Sequence, residues 1–310
     1  MIEVALMFEG QNGLNWPRWK RLVKATEDLG FVGLFRSDHY TNAGPPDKDS
    51  LELWTSLTWL ADNTERIEFG PLVSPVSFRH PTMTARMGAA VDDLSGGRLI
   101  LGVGAGWQER EHEKFGHNLL EISERFDRFE EGVEVITRLL QNDEPSTYEG
   151  DYFQIRDAQL LPRPQREGGP PLLIGGNGRN RTLPLTARFA DEWNGLFNPP
   201  EKYGELNSRL DHLLQKEGRI TDEVRRSLMT GCVFGEDGDE VAAKVKDRYE
   251  GKYEIEDLIE RGMIVGTANQ IVDQLGQFAE AGADRVMLQW LDLDDLDGLE
   301  SMAQGILPQV

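Results

Sequence analysis

Short apolar runs rich in β-branched and aromatic residues alternate with longer stretches of helical periodicity along the whole chain. Eight of these runs predict strands, which are Ile2–Phe8, Val32–Arg36, Ile67–Val73, Leu99–Val103, Pro171–Ile174, Glu192–Leu196, Leu228–Phe234 and Arg285–Trp290. Nearly continuous apolar strands that alternate with helices are typical of a parallel sheet covered by helices. The pattern therefore predicts an α/β fold, a (β/α)8 TIM barrel with insertions at the C-terminal rim.

The helical stretches support the same architecture. Thr82–Leu94 and Glu124–Leu140 each place their apolar residues on one face. Leu14–Leu29 and Thr267–Ala281 are each followed by a glycine, which is typical just past the end of a helix. Residues 1–310 are expected to form a single domain, because barrels of this kind commonly have this length.

Several connections between the predicted elements are long. Tyr40–Ser50, Trp107–Ser123 and the stretch around Asn198–Glu201 follow the second, fourth and sixth predicted strands. They are expected at the C-terminal rim, where barrel enzymes hold their active sites. Tyr148–Pro164 predicts a small hairpin, and Tyr249–Met263 predicts an irregular segment that is either a lid or mobile.

Charge and cysteine content narrow the class of partner. The formal net charge of −21 disfavours nucleic acid and anionic membranes, since the field of the protein repels both. No apolar run approaches the ~18 residues that a membrane span needs, and the first residues are typical of a strand rather than of a signal peptide. Cys232 is the single cysteine, so no internal disulfide can form. We expect a cytoplasmic protein that acts on a small-molecule substrate.

Candidate chemistry lies at the ends of the second and fourth predicted strands. Asp38 and His39 end the second strand, where a histidine can shuttle protons near neutral pH or can merely lock the rim. Glycines 102, 104 and 106 end the fourth strand and let a flat ring or a phosphate approach the backbone, or they relieve crowding. Trp107 stands where a dinucleotide fingerprint needs its third glycine. Its indole predicts a wall over a planar ligand, with a role in the core as the alternative.

The end of the fifth predicted strand has the composition of a phosphate site. Gly175-Gly-Asn-Gly178 precedes a helix start that carries Arg179 and Arg181, and helix N-termini with glycines and arginines favour anions. A structural turn is the alternative. The histidines His112 and His117, beside three glutamates, are expected in a solvated charged loop. Without a nucleophile elbow, a Walker loop or metal-ligand spacing, a cofactor is expected to supply the chemistry.

These segments together resemble the luciferase-like oxidoreductases, in particular the branch that uses the deazaflavin coenzyme F420. The resemblance rests on Ser37-Asp-His39, Gly70–Pro81, Leu94–Trp107, Glu124–Glu130, Leu161–Pro164, Pro171–Gly178 and Ala281–Val286. It implies a barrel that holds coenzyme F420, or FMN as the alternative, with the ring over the end of the third strand. It also implies a non-prolyl cis peptide there, at Leu72–Val73 or Val73–Ser74.

The resemblance assigns residues to the site. It implies cofactor contacts from Asp38, Leu72, Val73, Ser74, Gly104, Ala105, Gly106, Gly175, Gly176, Asn177 and Arg181. His39 would be the acid–base group, held by Asp38, with Trp107 as a wall. Related alcohol and sugar-phosphate dehydrogenases carry a tryptophan near Ala43 and a glutamate near Trp107, and Glu109 could substitute for that glutamate. The departure leaves the substrate open.

Three functions are consistent with this resemblance. The first is an F420-dependent oxidoreductase that transfers hydride between the deazaflavin and a small organic substrate. The second is a reduced-FMN-dependent monooxygenase, which would need a separate reductase as partner. The third is a catalytically silent protein that binds flavin or deazaflavin. A homodimer is also expected, because it is common in the family.

Overall fold

Parallel strands form the wall of a closed barrel in the computed structural model, which describes residues 1–310. The strands are β1 (Glu3–Phe8), β2 (Gly33–Arg36), β3 (Glu68–Pro71), β4 (Ser74–Pro75), β5 (Leu101–Gly104), β6 (Ser146–Glu149), β7 (Gln154–Ala158), β8 (Leu172–Gly175), β9 (Glu192–Leu196), β10 (Arg225–Phe234), β11 (Ile264–Gly266) and β12 (Arg285–Gln289). The wall strands pair in the order β3-β2-β1-β12-β10-β9-β8-β5-β4, with β11 beside β10. The strands β6 and β7 pair only with each other.

The barrel closes at the third wall position. β3 and β4 are two halves of this position, and β4 pairs in parallel with β5 through Ser74 and Val103. A further parallel bridge joins Phe69 to Leu99 lower in the wall. Counting β3 and β4 as one, the wall has eight positions. The predicted α/β barrel is therefore confirmed, and all eight predicted strands are present.

Helices cover the outside of the wall. They are α1 (Trp16–Leu29), α2 (Leu53–Asn63), α3 (Pro81–Ser95), α4 (Glu109–Phe115), α5 (Ile122–Gln141), α6 (Thr182–Phe189), α7 (Pro200–Glu217), α8 (Gly238–Arg248), α9 (Ile255–Glu260), α10 (Ala268–Glu280) and α11 (Leu296–Ile306), with short 3-10 turns at Thr221–Glu223 and Leu307–Gln309. The start of α1 shows how sequence sets such boundaries, because the Asn15 side chain accepts a hydrogen bond from the Arg18 amide at 3.2 Å. None of these helices combines the length and apolar character that crossing a bilayer requires.

Apolar side chains fill two layers. A cluster of 61 buried residues packs between the wall and the helices. A smaller cluster of eight, which includes Met7, Leu72 and Met229, fills the inside of the barrel. Burying one such side chain contributes about 1.5–3 kcal/mol, so the two layers hold the wall rigid. At the C-terminal end, the inner cluster forms the floor of a cavity.

A charge cluster with two buried members, Arg285 and Glu192, lies at the N-terminal end of the barrel. The Arg285 guanidinium, almost fully buried, pairs with Glu3 at 2.6 Å and with Glu68. Glu192 is also buried and lies 3.7 Å from Arg285. Burial raises the pKa of Glu192 above its usual range, although the charge of Arg285 opposes this shift.

Two predicted segments, Tyr148–Pro164 and Tyr249–Met263, lie outside the barrel wall. Tyr148–Pro164 was expected to contain a hairpin, and β6 and β7 form it. The stretch Tyr249–Met263 is not irregular throughout, because it includes α9 and leads into β11. Leu258 of α9 joins a separate apolar cluster with Val233 and Val245.

Candidate active site

A cavity of about 580 Å³ opens at the C-terminal end of the barrel. Met7, Leu72 and Met229 from the inner cluster form its floor. Most of the residues predicted to contact a cofactor line it, namely Asp38, Leu72, Val73, Gly104, Ala105, Gly106, Gly175, Gly176 and Asn177. Ser74 and Arg181 do not line it. Of the three long connections predicted at this rim, Trp107–Ser123 lines the cavity and Phe197 lines it next to the third, whereas no residue of Tyr40–Ser50 does.

The break between β3 and β4 projects into this cavity. The peptide bond Leu72–Val73 is cis, at one of the two positions that the resemblance implied. The glycines of β5 make room for Val73, because a Cβ on Gly104 would lie 2.5 Å from Val73 Cγ2 and one on Gly102 would lie 3.2 Å from Val73 Cγ1. Gly104 therefore accommodates the Val73 side chain, whereas a Cβ on Gly102 would first meet the Pro71 carbonyl oxygen, and both contacts support the alternative that these glycines relieve crowding.

His39 is held by Glu111 and not by Asp38. The His39 Nδ1 atom lies 2.7 Å from Glu111 Oε1, and the other carboxylate oxygen accepts a hydrogen bond from the Tyr40 amide at 2.8 Å. Glu111 is only 1% exposed. A carboxylate that accepts from Nδ1–H fixes the tautomer and leaves Nε2 for a ligand in the cavity. No protein group bonds to His39 Nε2.

Carboxylates also set the charge of this histidine. Burial acts against the charged imidazolium, but the hydrogen bond and charge of Glu111, with the charges of Glu9 and Asp38, outweigh it and raise the pKa of His39. The pKa of Glu111 is lowered in turn: burial raises it, and the stronger combined effect of His39 and the hydrogen-bond donors around the carboxylate lowers it. The two directions agree and describe an ion pair.

Asp38 has other partners. Its carboxylate pairs with the Arg79 guanidinium and accepts a hydrogen bond from the Ser74 hydroxyl at 3.1 Å. Arg79 also bridges to Glu52 at 3.0 Å. Arg79 is thus committed to two carboxylates, and the Asp38 side chain ties the loop after β2 to β4 rather than orienting His39.

The predicted Glu109 lies outside the cavity. It is exposed on α4, two residues before the buried Glu111. Side chains two positions apart in a helix point in directions that differ by roughly 200° around its axis, so Glu109 faces away from the cavity. Sequence reasoning missed Glu111 because α4 has seven residues and no apolar stripe from which to read its inward face. Glu111 takes the place that Glu109 was expected to fill.

The charged stretch around α4 is partly buried rather than solvated. His112 Nδ1 lies 2.6 Å from the Gln108 carbonyl oxygen, and its Nε2 lies 2.8 Å from the Ser77 hydroxyl. Burial lowers the pKa of His112, so it stays neutral near pH 7. His112 therefore ties α4 to the loop after β4 and keeps Glu111 in register. Trp107, by contrast, is 61% exposed and meets His39 edge-on at 5.7 Å between ring centroids, so it is a cavity wall and not part of the core.

The predicted phosphate turn lines the cavity, but its arginines do not. Arg181 pairs with Asp127 at 2.6 Å, and Arg179 approaches Glu205 at 3.6 Å. The Asn177 side chain is also occupied, because its amide bonds to the backbone of Leu196 in both directions. The turn therefore offers backbone and the Thr182 side chain to a ligand, without a free positive charge.

Arg125 supplies the positive charge that the turn lacks. It lies in the first turn of α5, lines the cavity, and donates only to neutral carbonyl oxygens, those of Leu120 at 3.0 Å and Gly106 at 3.4 Å. All of its hydrogen bonds go to carbonyl oxygens, and it forms no ion pair. The sequence gave one signal for this residue, since Arg125 lies in the segment Glu124–Glu130 that carries the family resemblance.

An unpartnered acceptor belongs to Asn194, one of the residues that line the cavity. Asn194 is fully buried in β9, and its Nδ2 donates to the Ser227 hydroxyl oxygen at 2.9 Å. Because Ser227 donates its own proton to the Trp193 carbonyl oxygen, the orientation of the amide is fixed and Oδ1 points elsewhere. Asn194 Oδ1 has no hydrogen-bond partner in the protein. A buried orphan acceptor in a cavity wall indicates a ligand with an N–H group.

Comparison with known proteins gives consistent matches. A family model described as luciferase-like monooxygenase matches residues 7–254. The 4-hydroxyprotoasukamycin monooxygenase of Streptomyces nodosus subsp. asukaensis is 27% identical over 93% of this chain and 84% of its own length. An F420-dependent glucose-6-phosphate dehydrogenase of Microbacterium testaceum is 32% identical over 71% of this chain and 65% of its own length. The solved structure of an F420-dependent secondary alcohol dehydrogenase with an F420–acetone adduct superposes with a TM-score of 0.86 at 18% identity, covering 100% of this chain and 99% of that one, which shows the fold.

Proposed function

We propose that this chain, which belongs to the luciferase-like monooxygenase family, is an oxidoreductase that uses coenzyme F420 to interconvert a small alcohol and its carbonyl compound. The observation that carries this proposal is the pair of His39 and Glu111, which presents an unengaged Nε2 atom to the cavity. Interconversion of an alcohol and a carbonyl requires one proton to move at the oxygen while hydride moves at the carbon. His39 is the group that is placed to move that proton.

The residues around the cavity fit this coenzyme. When bound, F420 supplies a two-electron site that accepts or donates hydride at C5 of its ring. Val73 would support one face of the ring, and Asn194 Oδ1 would accept a hydrogen bond from a ring N–H. The Arg125 guanidinium and the backbone around Gly176 would hold the phosphate of the side chain. In a protein of net charge −21, such local groups are needed to hold an anion.

The steps follow from the positions of these groups. In oxidation, His39 Nε2 would take the proton of the alcohol hydroxyl, and bound F420 would supply the two-electron acceptor for the carbon, so that the product is the carbonyl compound. Glu111 stabilises the imidazolium that forms, because its carboxylate accepts the Nδ1–H hydrogen bond. In reduction, the imidazolium of His39 would return the proton to the oxygen, and reduced F420 would supply the hydride. Every electron pair and proton is accounted for without a further reactant.

The direct test is a pair of cofactor titrations followed by tryptophan fluorescence. Trp107 lines the cavity, so a ring bound there should quench its emission. Saturable quenching by F420, reduced in Trp107→Phe, is the expected result. Quenching by FMN and not by F420 would replace the proposed function with the second candidate, and quenching by neither would overturn the assignment of the cavity.

An FMN-dependent monooxygenase is the second candidate. The relative from Streptomyces nodosus, which matches over 93% of the chain, is named a monooxygenase and supports it. This function would require reduced FMN from a separate reductase as partner. It predicts oxygen consumption that depends on reduced FMN, whereas the proposed function predicts anaerobic turnover with F420.

A catalytically silent binding protein is distinguished by His39→Ala. We expect F420 binding to persist and turnover to fall by about 10²–10⁴-fold, the usual contribution of a positioned acid–base group. Turnover equal to that of the unmodified protein would remove His39 from the reaction. Binding of F420 and turnover are measured on the same sample, because a loss of binding would show that the variant has a damaged cavity rather than a missing acid–base group.

A further inference from the structure

We infer that the substrate is a neutral molecule with a broad apolar body and one reacting hydroxyl or carbonyl group, and not a phosphorylated or carboxylated compound. This inference rests on the proposed function and names the substrate class of the same site. Two independent observations support it, the apolar mouth of the cavity and the charges around His39.

Exposed apolar side chains surround the mouth of the cavity. Trp107 follows β5, Ile122 begins α5 and Phe197 follows β9, and they are 61%, 69% and 43% exposed. All three line the cavity. Large apolar groups gathered at one opening from separate loops mark a ligand-binding surface, whereas single ones scattered over a surface need no explanation. A substrate that crosses this mouth gains by covering these groups with apolar surface of its own.

The backbone at Phe197 strengthens this reading. Its φ angle is +46°, in the left-handed region that residues with a Cβ rarely adopt. The fold does not bury this ring in return, because the side chain stays at the cavity mouth. A disfavoured backbone conformation that displays an exposed aromatic group is typical of a functional position.

Negative charge surrounds the acid–base group. Glu111, Glu9 and Asp38 are the charges that act on His39, and all three line the cavity. The Glu9 carboxylate is held in place by Gln11 and Gln289 at 2.7 and 2.6 Å. Arg79 is bound to Asp38 and Glu52 and does not line the cavity. An anionic group carried by the substrate near His39 would meet these carboxylates, because Arg125, the one arginine that lines the cavity, is assigned to the phosphate of the cofactor.

Matched pairs of cyclic alcohols test the inference. 4-Methylcyclohexanol and 4-hydroxycyclohexanecarboxylate differ only in a methyl group against a carboxylate, and cyclohexanol with its phosphate-bearing analogue forms a second pair. Each is titrated against the F420-loaded protein and its dissociation constant is measured by calorimetry. We expect the neutral member of each pair to bind at least about tenfold more tightly, because like charges are excluded from the site.

Equal or tighter binding of the charged members, or no binding of either neutral alcohol to protein that binds F420, would overturn the inference and leave the proposed function standing. Failure of F420 itself to bind, measured first on the same sample, would count against the proposed function instead.

Two cavity variants locate the effect. Trp107→Ala and Phe197→Ala should each weaken binding of the neutral alcohol about tenfold, since each removes aromatic contact area. Leu161→Ala is the matched control, because Leu161 is equally exposed but does not line the cavity, and it should leave the dissociation constant unchanged. Equal effects of all three variants would show that the mouth does not contact the alcohol.

Discussion

Three carboxylates surround His39, and only Glu111 touches its ring. The hydrogen bond gives Glu111 two effects, since it orients the imidazole and favours its protonated form. Because the pKa of His39 is raised, the imidazolium persists to higher pH than in an ordinary histidine. Oxidation of an alcohol needs the neutral ring and should increase as pH rises through this pKa. Reduction of a carbonyl needs the imidazolium and should decrease over the same range.

The variant Glu111→Gln tests this coupling. It removes the negative charge while keeping a hydrogen-bond acceptor. The effect of burial, which disfavours the imidazolium, is then less compensated, and the pKa of His39 should fall. The pH profile of alcohol oxidation should move to lower pH, with a maximum rate that falls less than in His39→Ala. The profile is measured with the neutral alcohol of the matched pairs. An unmoved profile, with F420 binding intact, would show that Glu111 does not set the protonation of His39.

Arg125 has no carboxylate partner, so its charge is available to bind the phosphate of a cofactor. Arg125→Gln should weaken F420 binding about tenfold and leave binding of the same deazaflavin without its phosphate-bearing tail unchanged, because only F420 carries the charged group and a hydrogen bond to a charged group contributes about 1.5–3 kcal/mol. Fluorescence titrations of both compounds check this. Arg181→Gln is the control, since Arg181 is already paired with Asp127 and lies outside the cavity. A stronger effect of Arg181→Gln than of Arg125→Gln would show that the phosphate binds at the turn after β8 instead.

At the scale of elements, the fit between β5 and the break in the third wall position shapes the cavity floor. Gly104→Ala would place a methyl group 2.5 Å from Val73 Cγ2, so Val73 must move. We expect a loss of about 1–3 kcal/mol in unfolding free energy, as for other overpacked sites, together with weaker cofactor binding. Thermal unfolding and the F420 titration measure the two effects.

The matched control is Gly276→Ala. Gly276 lies inside α10, where an added Cβ would meet no atom within 4 Å. This change should raise stability by about 0.5–1 kcal/mol, because alanine loses less chain entropy in a helix. A loss of stability that is the same in both variants would contradict the role assigned to the contact between Gly104 and Val73.

Element periodicity predicted the barrel well, because each wall strand is an apolar run and each long helix has an apolar face. The site was harder to predict, because its partners come from elements far apart in sequence. Asp38 and His39 are neighbours in the chain, yet one faces Arg79 and the other faces Glu111. Arg181 was predicted to bind the phosphate, but α5 packs beside it and Asp127 of that helix pairs with its guanidinium. Which of two arginines stays free depends on packing that no local pattern encodes.

At the scale of the whole molecule, the barrel separates two charged ends. The C-terminal end holds the cavity, and the N-terminal end holds Arg285 among Glu3, Glu68 and Glu192. Arg285→Met would leave the buried Glu192 with Arg225, 3.8 Å away, as its remaining cation, and we expect a loss of up to about 3 kcal/mol in unfolding free energy. Adding Glu192→Gln should recover part of that loss. Denaturant unfolding of the single and double variants measures both, and a single variant as stable as the unmodified protein would show that the cluster is not coupled.

The most direct test of the account is nuclear magnetic resonance of ring-labelled histidines, recorded across pH with and without F420. His39 should titrate above the ordinary histidine value of about 6.5, and saturating F420 should shift its signals. His212, exposed on α7 away from the cavity, should be unaffected by F420. A His39 midpoint at or below the ordinary value, or no response of His39 to bound F420, would contradict the claim that His39 and Glu111 are the acid–base pair of a coenzyme cavity.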